Sequence, residues 1–187
     1  MQIERLAIPD VIVFTPRKHG DERGYFCETF RRDLLVEQGV DVDFVQDNHA
    51  HSLHRGVLRG LHFQAPPHAQ GKLVRCARGA ILDVAVDIRR GSPTFGYHVA
   101  EELSEANGRQ IWVPPGFAHG YVTLEANCDV VYKTTAYYNP ASEGGLAWND
   151  PALGIDWRVE SSALIIAGKD QHYPSLAEAP LIFDYAI

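Results

Sequence analysis

The sequence predicts an all-β fold, a sandwich, jelly roll or barrel with a few short helices. From about residue 70 onward, short runs rich in Val, Ile, Tyr and Thr alternate with Gly, Pro and Asn, which is typical of strands joined by turns. These runs are KLVRC, AILDVAVDI, QIWVP and DVVYKTTAYY. No long crossover segment separates them, which disfavours a parallel α/β sheet. We therefore expect one domain over residues 1–187.

Composition and charge narrow the class of function. Hydrophobic residues make up 45% of the 187 residues and charged residues 22%, as in ordinary globular proteins. The formal net charge of -7 disfavours nonspecific binding to nucleic acid, which needs a basic surface. No segment has the length of a membrane-spanning helix, and the start MQIERLAIPD lacks the apolar core of a secretory signal. We expect a cytoplasmic protein with no membrane partner.

The cysteine pattern agrees with that compartment. Cys27, Cys76 and Cys128 are odd in number and show no C-x-x-C spacing. This argues against a disulfide framework and against a zinc ribbon. Buried free thiols are the expected role.

Three local elements depart from the strand pattern. A helix is predicted over residues 30–38 and ends at Gly39, a residue that commonly terminates helices. A shorter helix is predicted after Ser175. The segment WNDPALGIDW is interpreted as a structural turn packed by Trp148 and Trp157.

The most informative segments are GVLRGLHFQ and QGKLVRC, which bring Arg59, His62 and Lys72 into neighbouring predicted strands. A histidine can remove a proton from carbon beside a ketone, and a lysine can stabilise the enolate oxygen that results. An arginine can hold a phosphate. A single histidine in a strand is more often structural, so the hypothesis of a carbon-acid site depends on the whole set.

The segment VPPGFAHGY contains Pro114, Gly116 and His119 and resembles the second half-motif of the cupin superfamily. Its turn residues aim the histidine inward, and in metal-binding cupins that histidine is a ligand. The first half-motif requires two histidines one residue apart and then a glutamate. His49 and His51 have this spacing, but no glutamate follows at the required positions. We expect no metal, with His119 lining a cavity or contacting a ligand.

Two segments near the carboxyl terminus could complete a proton-transfer site. Epimerisation needs a second proton-transfer group across the substrate from His62, and Tyr132 is the candidate in VVYKTTAYYNP. A row of tyrosines in a strand usually only packs. In GKDQHYP, Asp170 could fix the tautomer of His62, with Lys169 beside it, although an aspartate in such a turn is ordinarily a solvated loop residue.

Two further segments mix aromatic, amide and charged side chains in a way that suits a nucleotide. DERGYFCETF supplies Arg23 for a diphosphate and Glu28 for the nucleotide, and QDN supplies Gln46, Asp47 and Asn48. Such mixtures also occur on ordinary strand edges.

Taken together, the motifs look like those of the dTDP-4-dehydrorhamnose 3,5-epimerase family, over about residues 10–175. The segments that carry the resemblance are, in order, DERGYFCETF, QDNHAHS, GVLRGLHFQ, QGKLVRC, DVAVDIRRGSPTFG, WVPPGFAHGY, VVYKTTAYYNP, WNDPALGIDW and GKDQHYP. The resemblance implies a cupin-like β-jelly roll that works without metal or other cofactor, usually as a homodimer, in dTDP-L-rhamnose synthesis.

The resemblance also implies roles for individual residues. His62 would be the proton acceptor, paired with Asp170, and Tyr132 the proton donor. Lys72 would lie beside the C4 oxygen of the sugar. The other implied substrate contacts are Arg23 and Arg59 at the diphosphate, Glu28, Gln46, Asp47 and Asn48 at the nucleotide, Tyr138 stacked on thymine, and His119, Glu143 and Lys169 lining the site.

The predicted reaction inverts C3 and C5 of dTDP-4-dehydro-6-deoxy-D-glucose, because the 4-ketone acidifies the protons on both neighbouring carbons. The nearest alternative is a single-site epimerase acting at C3 or at C5. More distant alternatives are a metal-dependent cupin oxygenase or isomerase and a noncatalytic module that binds nucleotide sugars. The last leaves His62, Lys72 and Tyr132 without a purpose.

Overall fold

The computed structural model of the chain describes residues 1–185 and consists mainly of β-strands. The strands are β1 (Gln2–Arg5), β2 (Ile12–Thr15), β3 (His19–Asp21), β4 (Gly24–Phe26), β5 (Gln46–Ser52), β6 (Val57–Gln64), β7 (Lys72–Arg78), β8 (Ala80–Asp87), β9 (Arg89–Arg90), β10 (His98–Ser104), β11 (Gln110–Val113), β12 (Phe117–Thr123), β13 (Cys128–Thr134), β14 (Glu143–Gly145), β15 (Ile165–Ile166) and β16 (Phe183–Asp184). The helical segments are α1 (Arg32–Val36) and the 3-10 helices Pro140–Ser142, Ser161–Ala163 and Gly168–Gln171.

Two large sheets form the body of the fold. The first sheet has the strand order β1-β2-β11-β7-β13-β5, and the second has the order β10-β8-β12-β6-β14, with β15 added in parallel to β6. Every other pairing within these two sheets is antiparallel. The prediction of an all-β, cupin-like sandwich is confirmed by this architecture.

The space between the two sheets holds the main hydrophobic core. Strand alternation points Val74 and Val130 of the first sheet toward Ile81, Ala85 and the other inward residues of the second. A second cluster covers the outer face of the second sheet, so strand β8 is buried on both faces. This double burial explains why β8 has the near-continuous apolar sequence AILDVAVD.

Both helices predicted from the sequence differ from those in the structure. Helix α1 is shorter than the predicted 30–38, because the chain is extended at Arg31, immediately before the helix. Phe30 lies outside the helix and packs edge-on against Phe44, with the ring centroids 5.5 Å apart. The helix predicted after Ser175 is wrong: the segment forms a single turn, in which the Glu178 carboxylate accepts hydrogen bonds from the Ser175 backbone N–H and hydroxyl. That bond pattern satisfies a turn locally without continuing a helix.

The turn at residues 148–157 forms as predicted, with the Trp157 indole N–H donating to the Trp148 carbonyl at 2.9 Å. Cys76 and Cys128 are buried and unpaired, whereas Cys27 is only partly buried, which corrects its predicted burial. Within residues 1–185, no helix has the length and apolar character needed to cross a membrane.

Candidate active site

A cavity of about 650 Å³ opens between the two large sheets, and most of the predicted site residues line it. Its walls come from both sheets and from the segment that follows β15. A volume of this size suits a small ligand rather than a macromolecule. The predicted residues that line it are Gln46, Asn48, Arg59, His62, Lys72, His119, Tyr132, Tyr138, Glu143, Lys169 and Asp170.

His62 and Asp170 form a hydrogen-bonded pair in one wall. Asp170 Oδ1 lies 2.8 Å from His62 Nε2, and Asp170 Oδ2 accepts the Gly60 backbone N–H at 3.2 Å. The buried carboxylate therefore favours the tautomer with the proton on Nε2, which leaves Nδ1 able to accept one. Burial lowers the pKa of His62 below its usual 6.5, although Asp170 opposes this effect. The imidazole is consequently neutral near pH 7, as a base must be.

Gly60 allows the chain to adopt this geometry. It has a φ of +135°, and a Cβ atom at this position would lie 2.5 Å from the Gly120 Cα on the neighbouring strand β12. The pairing of β6 with β12 is also irregular here, because the register shifts between His119 and Tyr121. Only glycine permits this approach, which brings the Gly60 N–H to Asp170.

Tyr132 lies in the opposite wall. It belongs to β13 of the first sheet, whereas His62 belongs to β6 of the second sheet. Burial raises the pKa of the Tyr132 hydroxyl, and the positive charges of Arg59 and Lys169 oppose that rise. The hydroxyl is therefore protonated at neutral pH, and the same cations would stabilise the phenolate left after it donates its proton.

Lys72 enters the cavity from β7 of the first sheet. Burial lowers its pKa from 10.5 to about 8, while the negative charges of Asp83 and Glu143 act in the opposite direction. The ammonium is thus still mostly charged at pH 7. In the part of the chain that the structure describes, no carboxylate lies within ion-pair distance of Lys72 or of Arg59. Both cations remain available to an anionic group in the cavity.

Sequence reasoning missed Asp83, which contacts the cavity-lining His119. Asp83 is completely buried in the middle of β8, and both its carboxylate oxygens lie 2.9 Å from His119 Nε2. The sequence does indicate this residue, because Asp83 lies within the mostly apolar run AILDVAVD. An aspartate is almost never fully buried without a partner, so a charged residue in a buried strand predicts a nearby hydrogen-bonding group.

The rim of the cavity is a connected polar network. The Tyr138 hydroxyl donates to Glu143 at 2.7 Å, and Lys169 donates to the same carboxylate. The Tyr138 backbone N–H donates to the Gln46 side chain at 3.0 Å, and Gln46 donates to Asn48 at 2.9 Å. These contacts orient donors and acceptors toward an incoming ligand.

Three predicted contacts lie outside the cavity of this chain. Arg23 is 85% exposed in the hairpin of β3 and β4, where it pairs with Asp21. Glu28 follows that hairpin and does not line the cavity. Asp47 points away from its neighbours in β5 and pairs with Lys133 at 2.9 Å, because successive strand residues face opposite sides.

His49 and His51 also face away from the cavity. Both bond to Asp129, at 3.0 Å and 2.8 Å, on the outer face of the first sheet. They therefore do not converge with His119 as the histidines of a metal-binding cupin would. Among residues 1–185, no group of three potential ligand side chains is arranged to hold a metal ion.

Turnover is therefore expected to survive chelation. Purified protein incubated with excess EDTA and dialysed should retain its full rate, and elemental analysis should find less than stoichiometric metal. The reason is that, within the described residues, His119 belongs to no group of three potential metal ligands. A loss of turnover that one specific divalent ion restores would refute a metal-free reaction.

The chain is similar to known proteins in both sequence and structure. The family model described as dTDP-4-dehydrorhamnose 3,5-epimerase matches residues 5–178. A protein of that name from Sinorhizobium fredii is 51% identical over 185 residues, which is 99% of this chain and 94% of the relative.

Two solved structures illustrate the likeness in three dimensions. A 3,5-epimerase from Legionella pneumophila in complex with dTDP-4-keto-L-rhamnose has a TM-score of 0.95 and 43% identity, covering 100% of this chain and 99% of its own. A 3'-monoepimerase from Streptomyces bikiniensis in complex with dTDP-quinovose has a TM-score of 0.84 and 35% identity, covering 92% of this chain and 86% of its own.

Proposed function

This chain belongs to the dTDP-4-dehydrorhamnose 3,5-epimerase family, and from that membership we propose how its cavity performs the reaction. The protein is a carbohydrate epimerase, an isomerase that converts dTDP-4-dehydro-6-deoxy-D-glucose to dTDP-4-dehydro-L-rhamnose in dTDP-L-rhamnose biosynthesis. The observation that carries the proposed mechanism is the position of His62 and Tyr132 on opposite sheets, facing one cavity.

His62 is the base. Its Nδ1 takes the proton from a carbon next to the C4 ketone, while Asp170, 2.8 Å from Nε2, stabilises the imidazolium that forms. The electron pair left on carbon moves into the ketone and gives an enolate oxygen. Lys72, a partly buried cation with no carboxylate in ion-pair distance among the described residues, neutralises that oxygen.

Tyr132 is the acid. It gives its hydroxyl proton to the opposite face of the same carbon, the enolate collapses to the ketone, and the configuration is inverted. Arg59 and Lys169 stabilise the tyrosinate electrostatically. His62 then loses its proton and Tyr132 regains one, ultimately by exchange with solvent. Protons balance and no electrons are transferred, so the reaction requires no cofactor.

The nucleotide occupies the polar rim in this proposal. Gln46, Asn48, Glu143 and Lys169 supply hydrogen bonds and His119 lines the sugar site. Tyr138 is 55% exposed, which leaves an aromatic side chain on which thymine can stack. Arg59 binds the diphosphate as well as facing Tyr132.

We further propose that the protein is a cytoplasmic homodimer. The hairpin of β3 and β4 leaves Tyr25 and Phe26 exposed by 55% and 69%, and exposed aromatic clusters of this kind favour protein contacts. Because Arg23 and Glu28 lie outside their own cavity, a second chain is what could bring them to a bound nucleotide. Unpaired thiols at all three cysteines fit a reducing compartment.

Turnover in heavy water tests the reaction. Each inversion replaces a carbon-bound proton with one drawn from solvent, so we expect deuterium at both C3 and C5 and inverted configuration at both in the trapped product. Tyr132→Phe should let exchange outlast inversion, since His62 still removes protons. Tyr137→Phe is the matched control because Tyr137 is 68% exposed and does not line the cavity.

Mass and NMR spectra of the product distinguish the alternatives. Label and inversion confined to one carbon after prolonged incubation would identify a single-site epimerase, the activity named for the Streptomyces bikiniensis relative. Binding of the nucleotide sugar without any exchange would leave only the noncatalytic module.

A further inference from the structure

Asp83, which lies behind the cavity-lining His119, is a buried charged group to which the proposed mechanism gives no role. Its side chain is 0% exposed, and its two oxygens share one neighbour, His119 Nε2, at 2.9 Å each. An isolated ionised carboxylate in such a place costs several kcal/mol unless charge and hydrogen bonds compensate it. In the described part of the chain, no lysine or arginine is within ion-pair distance of Asp83. The negative charge of Asp83 must therefore be compensated by its hydrogen bond with His119 and by a cation that lies beyond ion-pair distance.

Lys72, which lines the same cavity as His119, is the candidate for that cation. It projects from β7 of the first sheet into the cavity, and Asp83 projects from β8 of the second sheet beside cavity-lining His119. The two strands also bound one interior core cluster, through Val74 on β7 and Ile81 and Ala85 on β8. The charge of Asp83 is the larger of the two carboxylate effects that keep Lys72 protonated despite its burial.

The second carboxylate, Glu143, is largely engaged elsewhere. It accepts hydrogen bonds from Tyr138 and Lys169 at the rim, and Lys169 already neutralises it. The other ionisable groups around the cavity are His62, which is paired with Asp170, the neutral tyrosines Tyr132 and Tyr121, and the cation Arg59. Burial raises the pKa of the Tyr121 hydroxyl, which lies on β12 opposite Asp83. Asp83 is thus the negative charge left to balance Lys72.

We propose that Asp83 is a positioning residue that holds Lys72 in its charged, enolate-stabilising form and fixes His119 in the tautomer protonated at Nε2. This proposal rests on the proposed function, because it concerns the cation used there. Asp83 itself touches no substrate. It acts through the two side chains that do.

The test is the pH profile of kcat for Asp83→Asn, which removes the charge and keeps an oxygen for His119. The rate of the unmodified enzyme should fall below pH 6.5, as His62 becomes protonated, and should fall again as pH rises through about 8, as Lys72 loses its proton. In Asp83→Asn the alkaline limb should move to lower pH by about one unit, because an opposite charge near Lys72 is gone. KM should change less than kcat, since the enolate charge exists only after proton removal.

Asp87→Asn is the matched control. Asp87 lies on the same strand and is equally buried, but it bonds to Arg89, Ser92 and Thr94 and does not line the cavity. Loss of the Asp87 carboxylate should lower the melting temperature and leave the pH profile of kcat unchanged. An alkaline limb that coincides in Asp83→Asn and the unmodified enzyme would overturn the proposal, as would an equal displacement in Asp87→Asn.

Asp83→Glu keeps the test decisive if Asp83→Asn does not fold. The glutamate retains the charge but displaces it by one methylene, so kcat should fall while the alkaline limb stays within about 0.3 pH units of the original, because the countercharge to Lys72 remains. A limb that moves by a full unit despite the retained charge would contradict the proposal. An unmodified enzyme that gives no inverted product would instead reject the proposed function, and the two failures are therefore distinguishable.

Discussion

His62→Asn is expected to abolish exchange of the C3 and C5 protons with solvent. Asparagine cannot accept the carbon-bound proton, and a positioned general base accounts for about 10² to 10⁴ in rate. The enolate then never forms, so Lys72 and Tyr132 have nothing to act on and the observed loss should reach the upper end of that range. Deuterium uptake followed by NMR measures this directly.

Affinity should change much less in the same variant. Isothermal titration with dTDP should give a Kd within about tenfold of the original, because removal of a contact made in the transition state leaves ground-state binding. His98→Asn serves as a control, since His98 is a half-buried strand histidine on β10 that does not line the cavity. The His98→Asn variant should exchange the substrate protons at the original rate. If His62→Asn did so too, the base would have been misassigned.

Lys72→Ala is expected to lower kcat by about 10² to 10³, because one preorganised oxyanion donor contributes roughly 3 to 4 kcal/mol. The developing enolate charge would lie in a wall where no other cation is free of a carboxylate partner except Arg59, among the residues described. KM should rise only modestly. Steady-state kinetics with the 4-keto sugar give both parameters.

Arg59→Ala provides the contrast. Among residues 1–185, the side chain of Arg59 makes only a long hydrogen bond of 3.4 Å, to the His51 carbonyl. Its guanidinium is therefore available to the diphosphate, which carries its charge before and after the reaction. Removing it should weaken binding of dTDP more than it lowers kcat. Equal losses of affinity with unchanged turnover in both variants would refute this division of roles.

Local patterns predicted much of the fold and part of the site. Short strand-like runs predicted an all-β sandwich, jelly roll or barrel, and the sequence neighbourhood of Arg59, His62 and Lys72 predicted three chemically compatible groups that the structure places in one cavity. The pairing of His62 with Asp170 joins residues 108 positions apart. No local pattern determines such a contact, because it depends on how the chain returns to β6 after β15.

The errors have identifiable physical causes. Asp47 was grouped with Gln46 and Asn48 by sequence proximity, although a strand of period two places the middle residue on the other face. Asp83 lies inside the apolar run AILDVAVDI, and its partner His119 is 36 positions away, so no local pattern shows what the buried carboxylate contacts. The residues after Ser175 contain helix-forming residues, but the Glu178 side chain closes a turn on Ser175 instead.

The assignment of His62 and Tyr132 to different sheets determines whether proton exchange proceeds with inversion or with retention. Two packed sheets lie about 10 Å apart, so a sugar ring between them presents one face to each. Two groups on one sheet would return the proton to the face it had left, and the sugar would exchange hydrogen without changing handedness. With a base on β6 and an acid on β13, inversion follows for whichever acidic carbon lies between them. A sugar ring that shifts or turns within the cavity can therefore be inverted at two carbons in succession by the same base and acid, without a second set of catalytic groups.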